Sequence, residues 1–292
     1  MLRLFLLFLI FVKFACAQEL TFCSWNLQNF FLKQPVAPNG SSLSTVTIKS
    51  EEEIQAIIET LKKIDSDIIG VSELGHQGEI SFLQKELNKA GLNYPYIAST
   101  KGSDLYRSIG LLSKHPITQQ LTPEKLTFHS GKSTQSVRRG FLSTIIATPI
   151  GEIHFVGCHL KSKRPMRDDN EQNVRYGEAL RLREHLLRVM KADIKKKLVV
   201  YGDFNDTRSS AVIRLIGGKI GTETRLTKLP LKSSDYTYWT HHWKSEDVYS
   251  RFDYIFLSES LKNRYVKEKS HIASNTLWYK TSDHRPLFLT LK

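Results

Sequence analysis

The chain has 292 residues, of which 40% are hydrophobic and 24% charged, an ordinary globular composition that excludes a disordered or collagen-like chain. Its 42 Lys and Arg outnumber 29 Asp and Glu, a formal charge of +13 that favours anionic partners such as nucleic acid or acidic lipid. A chain of this length buries a sizeable core without disulfide staples.

Met1-Leu2-Arg3 is followed by an unbroken apolar run, Leu4 to Val12, and then by Ala15-Cys16-Ala17. The run falls short of the roughly 20 residues a membrane span needs. A basic start, an apolar stretch and an A-x-A site predict a signal peptide over 1–17, cut after Ala17, and hence a secreted or periplasmic protein. Lipidation at Cys16 is the alternative, with Lys13 a poor neighbour for a lipid-attachment box. Cleavage removes Arg3 and Lys13, leaving a net charge of +11, and leaves Cys23 and Cys158, each inside an expected strand. Two cysteines are no disulfide framework, so buried free thiols are expected, with a single bridge permitted by an oxidising compartment.

No later apolar run is long enough to cross a membrane. Lys33 to Ser44, rich in Pro, Gly, Asn and Ser, reads as a loop. Ser50-Glu51-Glu52-Glu53 is a capping box, and Ile54, Ile57, Ile58, Leu61 and Ile64 follow at helical spacing. Asp65-Ser66-Asp67 breaks that helix before a short buried strand, 68–71, that ends at Glu73. A second helix is predicted over 79–90, capped by Gly91, and another around 174–190. Further strands are predicted at 109–113, 141–147, 153–160, 198–201, 236–239, 252–257 and 287–291. Strands and helices that alternate and then cluster predict an α/β or α+β chain with mixed sheets, and no linker divides 18–292 into separate domains.

Polar residues punctuate these strands. Asn26, Glu73, His159, Asp203 with Asn205, and Asp283 with His284 each stand at or just past the end of an apolar run. Functional groups gather at strand tips because the tips converge on one rim. Taken singly, each also reads as a turn-former.

SWNLQNF (24–30), VSEL (71–74), IGLLSKHP (109–116), GCHLKSKR (157–164), YGDFND (201–206), RFDYIFLS (251–258) and TSDHRPL (281–287) resemble the signature segments of the endonuclease/exonuclease/phosphatase superfamily, which includes deoxyribonuclease I and the exonuclease III type of abasic-site nuclease. The resemblance implies a four-layer sandwich of two packed mixed sheets with helices outside. It also implies a divalent-metal-dependent hydrolase of phosphate esters using one or two Mg²⁺ or Mn²⁺ ions. It casts Glu73, Asn26 and Asp283 around the metal, and Asp203 as the group that orients or deprotonates water or ligates metal. Asn205 holds the nucleophile or a phosphoryl oxygen, His284 meets the scissile phosphate, Asp253 fixes the tautomer of His284, and His159 is the second catalytic histidine. A hard cation wants such oxygen ligands.

The chain also departs from its relatives. The abasic-site nucleases carry Asp where Gln28 stands and Tyr where His159 stands, which argues against that subfamily. Deoxyribonuclease I has a Glu near the Tyr106-Arg107-Ser108 segment to pair with the histidine, and here only Asp104 is close. GCHLKSKR followed by a helix bearing Arg175 also resembles secreted bacterial nucleases of the superfamily.

Lys161, Arg164, Arg139 and Arg175 are candidate phosphate-backbone contacts, with Lys163, Arg167 and Arg138 beside them; the plain alternative is a solvated loop interrupted by Asp168, Asp169 and Glu171. Tyr236 to Trp239 could stack on bases, but alternating aromatics read first as a core strand face. His241 and His242, with no third histidine or cysteine nearby in sequence, read as a surface turn, and Lys195-Lys196-Lys197 as a helix C-terminus. The resulting expectation is a secreted monomeric nuclease, foremost a DNA endonuclease leaving 5′-phosphate ends. The alternatives are a phosphodiesterase or phosphatase acting on sphingomyelin or inositol phosphates, and a non-catalytic binding module, disfavoured because every catalytic position is filled.

Overall fold

The computed structural model describes residues 18–36, 47–75, 77–100, 102–124, 126–131, 133–167, 169–274 and 276–292. The expected signal segment 1–17, most of the expected 33–44 loop and Asp168 lie outside the described residues. In chain order the elements are β1 (Leu20–Phe30), α1 (Glu51–Ile64), β2 (Ile68–Leu74), α2 (Gln77–Lys89), β3 (Tyr96–Ser99), β4 (Ser108–Ser113) and β5 (Ile117–Gln120). A small hairpin follows, β6 (Thr127–Ser130) and β7 (Ser133–Ser136), and then β8 (Phe141–Thr148), β9 (Gly151–His159), α3 (Glu171–Ala192), β10 (Leu198–Asp203), α4 (Ala211–Gly217) and β11 (Leu226–Lys228). The last part holds a second hairpin, β12 (His241–Trp243) and β13 (Val248–Ser250), then β14 (Asp253–Ser258), α5 (Glu259–Lys262), β15 (His271–Ile272) and β16 (Leu287–Leu291).

Two six-stranded mixed sheets, ordered β15-β16-β1-β2-β4-β3 and β11-β14-β10-β9-β8-β5, pack face to face. Side chains alternate across each strand. Phe22, Phe155 and Val199 enter the shared core, whereas Cys23, Val156 and Val200 face outward under helices. Helices α1 and α2 cover the first sheet through Ile57, Leu61, Leu83 and Leu87; α3 and α4 cover the second through Leu182, Leu186, Val212 and Ile216. This is the expected four-layer sandwich. Tyr201 wedges between the sheets: its ring stands edge-on to Phe22 at 4.8 Å, where a Cβ on Gly70 or Gly157 would collide with it.

Local signals act as the sequence predicts. Glu53 N–H donates to the Ser50 hydroxyl, Ser50 N–H donates to the Glu53 carboxylate, and Asp65 ends α1 in the left-handed region. Cys23 and Cys158 are buried free thiols, both held protonated by burial. Two expectations fail. Residues 236–239 form no strand: Tyr236 and Tyr238 are 70% and 49% exposed, because a left-handed Tyr236 turns the chain outward. Lys195 to Lys197 follow α3 rather than end it, since Asp193 leaves the helix in an extended conformation and Lys197 reaches back to the carbonyl of Ile150.

The topology makes the site. β1 and β2 run parallel, as do β9 and β10, so Asn26, Glu73, His159 and Asp203 all lie towards the C-terminal ends of neighbouring strands. β14 runs antiparallel to β10 and pairs its first residue, Asp253, with Asp203. β16 runs antiparallel to β1, which brings the preceding Asp283 and His284 to the same rim.

Beneath the second sheet, the Ser143 hydroxyl lies 2.7 Å from His154 Nε2 and 3.0 Å from His185 Nε2. One hydroxyl can serve two neutral imidazoles of opposite tautomer, donating to one Nε2 and accepting from the other. Burial and neighbouring positive groups lower both histidines to about 4. The unfolded chain takes these protons near the ordinary value of 6.5, so the neutral pair stabilises the fold above that value and its contribution is lost as pH falls towards 4. Urea unfolding of the wild type should therefore show stability declining between pH 6.5 and 4. A His154→Gln, His185→Gln variant should show a flatter profile, and an unchanged slope would contradict the arrangement.

Candidate active site

Two bulges aim the first carboxylate. The pairing of β1 with β2 slips between Asn26 and Phe30, that of β2 with β4 slips between Ser72 and Leu74, and Gln28, Asn29 and Glu73 adopt positive φ. Bulges turn side chains out of register, and left-handed non-glycine residues at functional rims are held there by their surroundings. Glu73 accepts the Asn29 backbone N–H at 2.9 Å and the Asn26 amide at 3.3 Å, with Arg107 Nε 3.8 Å away.

Asp203 is buried at the end of β10. Gly202, at φ 129°, lets the strand pass Cys158, whose carbonyl oxygen would lie 2.0 Å from any Cβ. Asp203 accepts the Asn205 backbone N–H at 2.8 Å, the Asn205 amide at 3.1 Å and the Asn26 amide at 3.1 Å. Burial and the Asp253 charge nevertheless push its carboxyl above the usual carboxylate range. His284 Nδ1 stands 2.7 Å from Asp253, and its Nε2 lies 3.8 Å from both Asp203 and Asp283. Burial alone would lower its pKa, but the carboxylates of Asp253, Asp203 and Asp283 outweigh burial and hold an imidazolium. His159 goes the other way. Burial, followed by the charges of Arg139 and Arg107, pushes it well below the usual range, and its Nε2 faces Glu73 at 3.8 Å and Asp203 at 3.7 Å.

The segment before β16 is fastened from three sides. Trp25 Nε1 donates to the His284 carbonyl, the Ser282 hydroxyl to the Asn26 carbonyl, and the buried Lys49 to Glu53 and to the Thr281 carbonyl. Thr240 Oγ1 accepts the N–H groups of Phe252 and Asp253, which sets the start of β14.

All the expected catalytic residues thus meet: Asn26, Glu73, His159, Asp203, Asn205, Asp253, Asp283 and His284. Asn26, however, turns its amide nitrogen to Glu73 and Asp203 and its oxygen to the Gln28 N–H, bridging the carboxylates rather than presenting oxygen outward. Asp283 gathers with His241 and His284, their ligand atoms lying within 4.8 Å of one another. His241 is therefore no surface turn. It lies on β12, bridges His284, and stands 3.6 Å from Asp283, whose carboxyl stays low against its burial through His241 and His284. The third histidine that the sequence neighbourhood lacked arrives from the strand-end segment 43 positions later.

The basic candidates divide. Arg175 is buried, with Nε 3.4 Å from Asp206 and Nη1 on the Lys161 carbonyl; it braces a loop and is not free for phosphate. Lys161 is buried too, its ammonium bonded to the carbonyls of Ser162 and Arg164 and pushed down to about 8 by burial and the guanidinium of Arg139. The buried Glu178, missed in the sequence because it sits mid-helix, accepts the N–H groups of Arg138 and Lys161 and fixes both loops. Arg139 is buried 3.2 Å from Asp104. Asp104 is consequently spent on Arg139 and its own turn, and the Nδ1 of His159 has no hydrogen-bond partner among the described residues. Arg164 alone of the four candidates is exposed, beside a cavity of about 390 Å³ lined by Gln28, Asn29, Lys49, Glu53 and Arg107 among others.

Asp203 with Asp253 and His284, and Asp283 with His241 and His284, form two groups whose ligand atoms lie within 4.8 Å of one another, and Glu73 shares the Asn26 amide with Asp203; hard carboxylate oxygens at such a rim fit a divalent cation. Bound there, it supplies neutralisation of phosphate charge. Around it, Asn205 orients the Asp203 carboxylate through two hydrogen bonds, and Asp253 holds the His284 ring with Nε2 turned towards Asp203 and Asp283.

Fold and rim together define a metal-dependent hydrolase of phosphate esters. The sequence profile of the endonuclease/exonuclease/phosphatase family matches residues 23–284, and the chain belongs to that family. Among solved structures it is similar to the human Nocturnin catalytic domain with bound sulfate (17% identity, 94% of each chain covered, TM-score 0.64). It is also similar to a double mutant of beta toxin from Staphylococcus aureus with bound magnesium ions (15%, 94% and 100%, 0.66) and to D. rerio TDP2 complexed with single strand DNA product (17%, 94% and 99%, 0.60). No curated relative is recognisable by sequence.

Asp203→Ala and His284→Ala should each lower kcat by roughly 10²-fold or more, the usual scale of a lost acid–base group. Glu73→Ala should raise the Mg²⁺ concentration needed for half-maximal rate. Steady-state kinetics across a metal titration checks all three, and wild-type turnover in His284→Ala, or full activity in excess chelator, would contradict the assignment.

Proposed function

We propose that the protein is a secreted DNA endonuclease, active as a monomer with Mg²⁺ or Mn²⁺, that leaves 5′-phosphate ends. The observation that carries the reading is a strongly cationic chain whose exposed Arg164 stands with Gln28, Asn29 and Arg107 beside the rim, next in the chain to the exposed Lys163. A polyanion laid across that rim meets several cations at once. Water passes its proton to Asp203 and attacks phosphorus in line, and the 3′ oxygen leaves with the Nε2 proton of the His284 imidazolium. Sphingomyelin or an inositol phosphate places one phosphate in the same site and leaves the flanking cations unused.

The purified 18–292 chain should nick supercoiled plasmid at low salt, with activity falling steeply as NaCl rises because neutralised phosphates release counterions. End-labelling should reveal 5′-phosphate. Arg164→Ala should raise KM for DNA and flatten the salt dependence. Arg175→Ala should instead lower stability, by roughly 1–3 kcal/mol for the buried partners it strands. Intact mass of exported protein should place the first residue at Gln18. Cleavage of sphingomyelin with plasmid and single strands left intact would overturn the nuclease reading.

A further inference from the structure

The β12–β13 hairpin stands in solvent beside the catalytic rim, and its two faces differ. Its register pairs His241 with Ser250, His242 with Tyr249, and Trp243 with Val248. Side chains alternate along a strand, so His241 and Trp243 share a face. His241 fixes which face that is: its ring lies 4.7 Å from the His284 ring and its Nε2 3.6 Å from Asp283. Trp243 therefore stands on the catalytic side, about 6.6 Å further along the strand. It is 55% exposed, and Val248 beside it is 45% exposed.

On the other face the rings are occupied by one another. His242 stacks on Tyr249 at 4.1 Å and 3°, Tyr249 stands edge-on to Trp239 at 4.9 Å, and Arg285 covers Trp239 at 4.3 Å. That network makes the hairpin a firm support, anchored to the site by His242 N–H on the Asp283 carbonyl and Arg285 N–H on the Thr240 carbonyl. Trp243 makes no ring or cation contact among the described residues, and more than half of its surface is open to solvent.

We propose that Trp243, with Val248 beside it, is a stacking platform for an unpaired nucleobase next to the scissile phosphate, and that the enzyme accordingly prefers single-stranded nucleic acid. The proposal rests on the nucleic-acid reading of the site. In a duplex, bases stack on one another and offer only their edges in the grooves. An indole standing beside the rim meets a base face only where the base is unpaired, and such stacking is indifferent to sequence. A lipid surface fits the hairpin less well. The turn joining the strands is Lys244-Ser245-Glu246-Asp247, and inserting it tip-first would bury two carboxylates in the bilayer.

The test is fluorescence anisotropy of a labelled oligothymidylate in EDTA, which prevents cleavage. Wild type should bind the single strand more tightly than a duplex of equal length at the same salt. Trp243→Ala should weaken single-strand binding about 5-fold or more, the lower end of one base–aromatic stack, and Trp243→Phe should restore most of it. Tyr96→Ala, a control on the far β3 edge, should bind as wild type, and thermal melts should show all variants folded. If wild type binds the strand and Trp243→Ala binds equally well, the platform is wrong and the nuclease reading stands. If wild type binds no nucleic acid but sediments with sphingomyelin–phosphatidylcholine vesicles, both fail.

Discussion

Four carboxylates, those of Glu73, Asp203, Asp253 and Asp283, crowd one rim, and like charges this close stay ionised together only with compensation. His284 supplies it. Its Nδ1 lies 2.7 Å from Asp253 and its Nε2 faces Asp203 and Asp283, so one imidazolium serves three acids. Asn26 and Asn205 contribute amide donors to Asp203. The same balance leaves His159, which faces Arg139 and Arg107, as the neutral partner. The two histidines thus differ in protonation for reasons of placement: carboxylates surround one, and burial with nearby guanidinium groups governs the other. A divalent cation adds to the compensation that His284 begins.

That concentration of charge depends on backbone that would not hold it unaided. Gln28, Asn29, Glu73 and Asn205 all adopt positive φ, each costing on the order of 1 kcal/mol or more. They persist because the strands that bear them run through a close-packed core. Phe22, Tyr201 and Phe155 lock the two sheets together a few residues from the rim. Rigid sheets and strained tips are complementary: the former fix where the latter present oxygen and nitrogen.

Much of this was legible in the sequence. The α1 capping box and the polar residues ending apolar runs gave that helix and most of the rim, because each signal is local, whereas the four layers were implied by the resemblance of the motif segments to the superfamily. What sequence did not disclose is pairwise. His241 is ordinary beside His242 and becomes a site residue only when the antiparallel approach of the segment before β16 brings Asp283 and His284 to it. Arg175 reads as a free cation because its partner Asp206 lies 31 positions on, after β10, and Lys161 because its ammonium turns back onto carbonyls of its own loop. The aromatics at 236–239 have strand composition, yet the left-handed Tyr236 and the turn about Ser233 send Tyr236 and Tyr238 outward.

The central claim, that one imidazolium compensates the rim, is tested most directly by ¹⁵N chemical shifts of histidine side chains in labelled, metal-free protein at pH 8. One of the ten histidines, assigned to His284 through His284→Gln, should have both ring nitrogens protonated, while His159 is neutral. A neutral His284 at that pH would contradict the account.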